Sequence, residues 1–537
     1  MSSSDAIGDS PRRRWRLALI LLGGFAVRVA CVTWGLPLDR HTSYYHADEV
    51  KAWGTVVDFP GNYLTNDNYL YGTTLQTVVG TLLIPVKAAM TEDMTPDDRY
   101  RLTAIVAMRC FSILLGTLAI LLTYRFAAKV FDETTALCAA AFLAVAPGHA
   151  LFSAFCNLDV AMSFLLMAGF LLARRALERG RNRDWLLLGL TAGALLGTKF
   201  TGALFLAVPL FLAAWNLVSP AGRPATLGST AKGLSIVLLT ASAVFAVTNL
   251  HVVLSPDEYV AFMLKQKADW YDRPASTLAA IGSAWATALS TSLGWPIAVL
   301  AAIGPLCIRR PELKDKIAAL AFVAGYLLFW RAYVHVNFLA YVAPLLCVFA
   351  GRTAAIALLD RRVSVRVASR CAVGAAVGLS LGVTVLALWQ RGHDNRTAAA
   401  RFIEETFPPG TTIGIASDAV RYHWRHHQWR YPRVDFERYP ERHFLKDPDV
   451  IVVTSFELNV MKSALESPRL RSGDVWDPRF KSDWYENRPP APIVFAFYRE
   501  LFEGKRYRLL RSFENRIELH EGLVVPPDVY IYVRIDR

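Results

Sequence analysis

The sequence is short of charge and of paired cysteine. Charged residues make up 19% of its 537 positions, against about 25% in an ordinary soluble chain. A disordered chain needs more charge than this, and a soluble fold of this length has no core large enough for so much apolar area. The seven cysteines (Cys31, Cys110, Cys138, Cys156, Cys307, Cys347 and Cys371) include no C-x-x-C pair, and none follows Cys371. That excludes a disulfide scaffold and zinc-finger spacing; most of them sit in apolar runs, where cysteine acts as a small hydrophobe. The C-terminal part has neither a Gly-x-Gly-x-x-Gly nor a Walker signature. No nucleotide site is implied there.

What is present is apolar and basic. Hydrophobic residues reach 54%, and 58 basic against 45 acidic side chains give a net charge of +13. The excess is uneven. Up to Trp389 there are 34 basic and 23 acidic groups in 389 residues; the remaining 148 residues carry 24 and 22. The composition therefore predicts a membrane domain over 1–389 and a soluble domain over 390–537 with a net charge of only +2.

A helix crosses the hydrocarbon core in about 20 apolar residues. Eleven such stretches are predicted: Trp15–Trp34, Ala104–Tyr124, Thr135–Ala146, Leu158–Leu172, Trp185–Gly197, Gly202–Val218, Leu234–Leu250, Trp295–Ile308, Ile317–Trp330, Phe338–Leu359 and Cys371–Trp389. Leu75–Met90, with Pro85 and Lys87, reads as a helix lying in the interface. Arginine and lysine gather on every second loop, from Arg12–Arg14 to Arg361 and Arg362. The positive-inside rule then puts the amino terminus in the cytoplasm and the soluble tail outside. The first stretch is expected to stay as an anchor, because Arg28 interrupts it and spoils a lipoprotein-type cleavage site before Cys31.

Five histidines of the membrane part (His41, His46, His149, His251 and His335) fall in outward-facing loops on this topology. The first outer loop, 35–101, carries Tyr44-Tyr45-His46-Ala47-Asp48-Glu49. A histidine and two carboxylates just beyond a span offer a general base and a group to orient it, or a plain charged first turn of a helix. The second holds His149 and Asn157-Leu158-Asp159 at the mouth of the fourth span; Asn157 or Asp159 is either an N-cap or part of a site. Lys199, in a tight outer turn, and Arg331, followed by Tyr333, His335 and Asn337, break the positive-inside pattern. They either snorkel to headgroups or neutralise a phosphate. The fourth loop, 251–293, mixes aromatics with charge and reads as an interfacial helix.

The tail predicts a small α/β domain: a helix over Asn395–Phe407 and strands at Thr411–Ala416, Val450–Thr454, Tyr507–Phe513 and Tyr530–Ile535. Its basic–aromatic run Arg421–Tyr431 suits a surface loop or an anionic glycan or headgroup. Nucleic acid is not expected at so small a net charge and outside the cell.

The order of these features resembles the C-type (GT-C) membrane glycosyltransferase superfamily. They are Asp-Glu after one span, an aspartate at the fourth span's outer end, a Thr-Lys-aromatic turn and an Arg-x-Tyr turn. The bacterial branch similar to protein O-mannosyltransferases and lipid A aminoarabinose transferases gives the nearest likeness. The resemblance implies a sugar donor on polyprenyl phosphate and an acceptor hydroxyl on a glycan, lipid or protein, with Asp48 as the base and Glu49 beside it. It implies further that Asp159 organises the site, and that Lys199 and Arg331, with Tyr333 and His335, hold the leaving phosphate; His46 and Asn157 would support. No cofactor is required; Asp48, Glu49 and Asp159 offer a divalent ion a place, but no ligand spacing indicates one. A polytopic lipid or glycan transporter, or an O-antigen polymerase or ligase, is the alternative. A transporter would place its polar groups near the bilayer midplane in repeated halves. No such repeat is visible.

Overall fold

The computed structural model describes residues 11–36, 47–65, 69, 71–90, 96–218, 226–270, 277–308, 313–331, 334–415, 433–435, 448–455, 458–459, 462, 492–520, 523 and 525–535. The chain forms two compact units, Met1–Val32 with Asp48–Leu388, and Thr33–Ala47 with Trp389–Arg537. The expected surface run Arg421–Tyr431 lies outside the described residues.

The first unit is helical: α1 (Pro11–Val29), α2 (Ala47–Asp58), α3 (Thr74–Ala89), α4 (Pro96–Val130), α5 (Glu133–Val145), α6 (Pro147–Ser153), α7 (Leu158–Arg179), α8 (Asn182–Thr198), α9 (Ala207–Val218), α10 (Leu227–Thr248), α11 (Leu250–Leu254), α12 (Pro256–Trp270), α13 (Leu278–Leu293), α14 (Trp295–Ile303), α15 (Leu313–Phe329), α16 (Val336–Leu358) and α17 (Val363–Gly392). Each of the eleven predicted stretches lies on one or more of them. Among the described residues six helical segments are long and apolar enough to cross a membrane, or eight if each of two bent pairs is one span. Helices α8 and α15, of 17 residues each, and α1, whose 19 residues include five arginines, stand outside that count. The chain is an integral membrane protein with an α-helical polytopic core.

Helix α16 is the axis of this unit, buried along nearly its whole length. It packs on α5, α7 and α14, and Gly351 lets α5 approach so closely that a Cβ there would lie 2.7 Å from Thr135 O. A second close contact joins α8 to α10. Gly189, Gly193 and Gly197 recur every fourth residue on α8. Cβ atoms at the first two would fall 2.7 Å from Thr240 Cβ and 2.7 Å from Ala241 O. Small residues at this spacing let helices touch backbone to backbone, which drives association where lipid removes the hydrophobic term.

Two apolar helix pairs are sharply bent. Helices α5 and α6 meet at 59°, because Pro147 has no N–H to give the carbonyl of Leu143. Arg28 of α1 makes up the loss: Nη2 donates to Leu143 O at 3.2 Å and Nη1 to Ala144 O at 3.2 Å. The same Nη2 lies 2.8 Å from Nδ1 of His149, whose Nε2 lies 2.9 Å from Ser163 Oγ. His149 was expected in an exposed outer loop; it sits instead on the buried helix α6, where it completes the seat of Arg28. Helices α13 and α14 meet at 116° around Gly294, whose φ of +84° a side chain would resist.

Helices α2 and α3 are folded onto this bundle. Ala52 and Val56 of α2, Val79 and Leu83 of α3, and Tyr100, Ala104 and Met108 of α4 form one buried cluster with Cys156.

In the second unit α18 (Asn395–Thr406) and α19 (Pro492–Phe502) accompany a five-stranded mixed sheet of β1 (Ile413–Ile415), β2 (Arg433–Asp435), β3 (Val450–Thr454), β4 (Tyr507–Phe513) and β5 (Val529–Arg534). Its order is β2-β1-β3-β5-β4, parallel across the first three strands and antiparallel across the rest. Ala399 and Ile403 of α18 cover Ile413, Val450, Val452 and Ile531. All four strands expected from the sequence are found; β2 was not anticipated.

Replacing Gly193 with leucine should force α8 away from α10. Overpacking costs about 1–3 kcal/mol, and more is expected here because the obstacle is backbone. Thermal unfolding in detergent should show a lower Tm for Gly193→Leu, with a much smaller change for the lipid-facing control Leu190→Ala.

Candidate functional site

The centre of the site is a buried ion pair. Asp159 stands in the first turn of α7, which Asn157 caps by accepting from Val160 N at 3.1 Å. Lys199 follows the last turn of α8. Each charge matches the helix end that carries it, an anion at an N-terminus and a cation at a C-terminus. Lys199 Nζ donates to both carboxylate oxygens, at 2.9 and 3.0 Å, with each residue only 3% exposed. Three rings surround the ammonium: Phe338 at 4.6 Å, and Tyr71 and Trp330 at 5.9 Å. A desolvated cation on aromatic faces gains about 2 kcal/mol.

Tyr71 reaches this position because its strand of loop is pinned. Asn249, fully buried, accepts from Thr73 N at 2.8 Å and donates to Thr74 Oγ1 at 3.4 Å. Gly72 lies so close to Gly197 that a Cβ would come within 2.1 Å of its carbonyl oxygen.

A second ion pair fixes α2. Arg109 of α4 grips Glu49 with Nε at 2.9 Å and Nη2 at 2.6 Å, and the backbone N–H of Cys156 donates to Glu49 Oε1 at 3.0 Å. Nη1 of the same arginine donates to Val32 O at 2.6 Å. Both oxygens of Glu49 are thus engaged, and the start of α2 is tied to the segment that leads into Asp159.

The remaining expected residues fall variously. Asp48 occupies the first turn of α2, and its side chain is outside the described residues, as are His46 and Tyr333. Arg331 is exposed, donates from Nη1 to Leu328 O at 3.3 Å, and follows directly on Trp330 of the lysine's aromatic wall. The side chain of His335 caps α16 and pairs with Asn337. Arg109, Tyr71, Trp330, Phe338 and Asn249 were not anticipated. Only Arg109, a cation inside an apolar run, carried a signal in the sequence. Among the described residues no group of three or more His, Cys, Asp or Glu side chains is placed to hold a metal ion.

The fold is that of the C-type membrane glycosyltransferases. Residues 103–251, running from α4 to α11, match the family described as dolichyl-phosphate-mannose-protein mannosyltransferase. Among solved structures, the oligosaccharyltransferase of Archaeoglobus fulgidus in its apo form has a TM-score of 0.54 at 12% identity, over 97% of this chain and 88% of its own. The same archaeal enzyme, AglB, with an inhibitory peptide and a dolichol-phosphate, gives 0.53 at 13%, over 98% and 88%. ArnT of Cupriavidus metallidurans bound to undecaprenyl phosphate gives 0.50 at 16%, over 84% and 94%. No curated protein sequence matches.

Removing one member of a buried pair strands the other and costs about 3–5 kcal/mol. Lys199→Met should therefore be strongly destabilising, and Asp159→Asn with Lys199→Met should regain most of the loss. Chemical unfolding of the two single variants and the double variant tests this; a double variant as unstable as the sum of the singles would show that the pair is not coupled.

Proposed function

We propose that this protein is a glycosyltransferase that moves a hexosyl or pentosyl group from a polyprenyl-phosphate donor to an acceptor hydroxyl at the outer face of a bacterial-type plasma membrane. In this reading the amino terminus is cytoplasmic and the C-terminal domain extracytoplasmic. The acceptor is a hydroxyl on a glycan, lipid or protein. The two lipid phosphates carried by the structural neighbours, dolichol-phosphate and undecaprenyl phosphate, support the donor class.

The observation that carries the reading is the anchoring of Glu49. Its carboxylate is spent on Arg109 and Cys156 N, so it serves as a positioning group. Asp48, one residue earlier on a helix end thus tied to the mouth of α7, is left for proton transfer. The donor's phosphate belongs on the cation side. The Asp159–Lys199 pair is neutral overall, but an ammonium has three N–H donors. Two are committed to Asp159, and the third is free to stabilise charge as the phosphate leaves. Exposed Arg331, which has no acidic partner among the described residues, supplies the net positive charge. Tyr333 and His335 follow it in the sequence. Attack by the Asp48-activated hydroxyl on the anomeric carbon, opposite the departing phosphate, inverts the configuration. A donor already activated as a phosphate ester requires no nucleotide for this step.

Transfer from radiolabelled undecaprenyl-phosphate sugars in membranes should fall by about 10²–10⁴-fold in Asp48→Asn, with protein level and unfolding temperature unchanged. Glu49→Gln should lose both stability and transfer, because it loosens Arg109. Undiminished transfer by Asp48→Asn would remove Asp48 as the base.

A further inference from the structure

The first predicted span ends at Trp34, where an interfacial tryptophan is expected to face lipid headgroups. This one does not. It is 7% exposed, and its indole N–H donates to Asp394 Oδ2 at 3.1 Å. The guanidinium groups of Arg391 and Arg396 lie 4.9 and 5.6 Å from its ring. Arg396 in turn grips Asp394 with Nε at 2.9 Å and Nη2 at 2.8 Å, and Arg391 Nη2 donates to Leu523 O at 2.8 Å. All four side chains are buried. Cations held out of water gain from an aromatic face, and tryptophan brings an N–H donor for the carboxylate with it. A residue that only fills a core needs neither the donor nor the cations. A residue that holds its backbone in one place uses both.

This clamp lies wholly within the second compact unit, to which Thr33–Ala47 belongs. Two residues before Trp34 the chain is in the first unit, where Val32 O accepts from Arg109 Nη1 at 2.6 Å. The same arginine holds Glu49 with its other two nitrogens. The outer segment from Thr33 to Asp48 therefore leaves from one guanidinium and returns to it, and its second residue is gripped by the C-terminal domain.

We propose that Trp34 is a positioning residue for sugar transfer. The C-terminal domain, through Asp394, Arg391 and Arg396, fixes the start of the outer segment. Arg109 carries that constraint from Val32 to Glu49, and so to Asp48 beside it. The domain then acts on the base mechanically, and this role requires no substrate contact of its own. The inference rests on the glycosyl-transfer reading above.

Amide hydrogen exchange and transfer kinetics on the full chain in nanodiscs test it, with Trp34→Ala, Trp34→Phe and Ile403→Val. The last weakens the core of the C-terminal domain without touching the clamp. Trp34→Ala should speed exchange across α2 by about 10-fold. It should lower kcat for transfer from undecaprenyl-phosphate sugars by about 10–10²-fold, with KM for the donor within about 2-fold of wild type. Trp34→Phe keeps a ring between the arginines, so it should fold as the wild type does and lose less of both. Ile403→Val should lower Tm and leave α2 exchange and kcat unchanged. Exchange across α2 that matches wild type in both Trp34 variants overturns the coupling, as does a loss of kcat in Ile403→Val equal to that in Trp34→Ala. If Trp34→Ala does not fold, Trp34→Phe decides alone: faster α2 exchange with lower kcat supports the coupling, and neither change overturns it. A wild type that transfers no sugar removes the glycosyl-transfer reading, and with it the role in transfer; α2 exchange then still decides whether Trp34 governs the start of α2.

Discussion

An ammonium and a carboxylate held away from water must hold each other, and at Asp159 and Lys199 this obligation ties together two helix ends. The pair joins the start of α7 to the end of α8. Around it the packing becomes specific. Phe338 and Trp330 stack at 4.0 Å against the lysine's far side, and Tyr71 is delivered by a loop that Asn249 and the Gly72–Gly197 contact hold in place. A buried pair of this kind adds little net stability over apolar residues of the same shape. Its effect is to make alternative packings costly, since any shift of α7 along α8 would leave a bare charge in a dry place.

The same obligation operates on the backbone. Where a span breaks, carbonyls and amides lose their partners, and in a bilayer water does not replace them. At Pro147 the protein answers with Arg28, reached across from α1 and steadied by His149 and Ser163. At the mouth of α7 it answers with the side chains of Asn157 and Glu49, which take the N–H groups of Val160 and Cys156. An arginine at the C-terminal carbonyls of a half-helix also faces the negative end of its dipole. The polar residues inside this apolar unit are therefore of two kinds, those that repair broken helices and those gathered near Lys199.

That division explains what could be read from the sequence. Hydropathy located the helices well, because an apolar run of span length has few other uses, and the tail's strands stood out by their β-branched and aromatic residues. It failed at the breaks. Pro147 and Gly294 turn helices back on themselves, so the stretch expected as an exposed loop around His149 is a buried helix. Composition in a window does not register a bend. At the site, Asp159 and Lys199 were visible as ions out of place, but their partnership was not, since 40 residues and a whole hairpin of helices separate them. Glu49 and Asp48 looked alike in sequence; only the reach of Arg109 from α4 distinguishes them. His251 was read only as one of five outer-loop histidines, because nothing local shows that it is buried.

Neutrality of the central pair has a consequence for any anionic ligand. A lone buried lysine would bind phosphate tightly and release it slowly, and it would lose its own proton readily when empty. Compensated by Asp159, the ammonium offers a directed N–H without a strong net field. On the proposed reaction, the attraction that draws an anion in would then come from Arg331, exposed and screened by salt. On that reading capture and alignment are divided between two cations, exposed Arg331 and buried Lys199 in its aromatic cage. A lipid phosphate of the kind proposed above would be better served by that division than by a single deep, fully charged pocket.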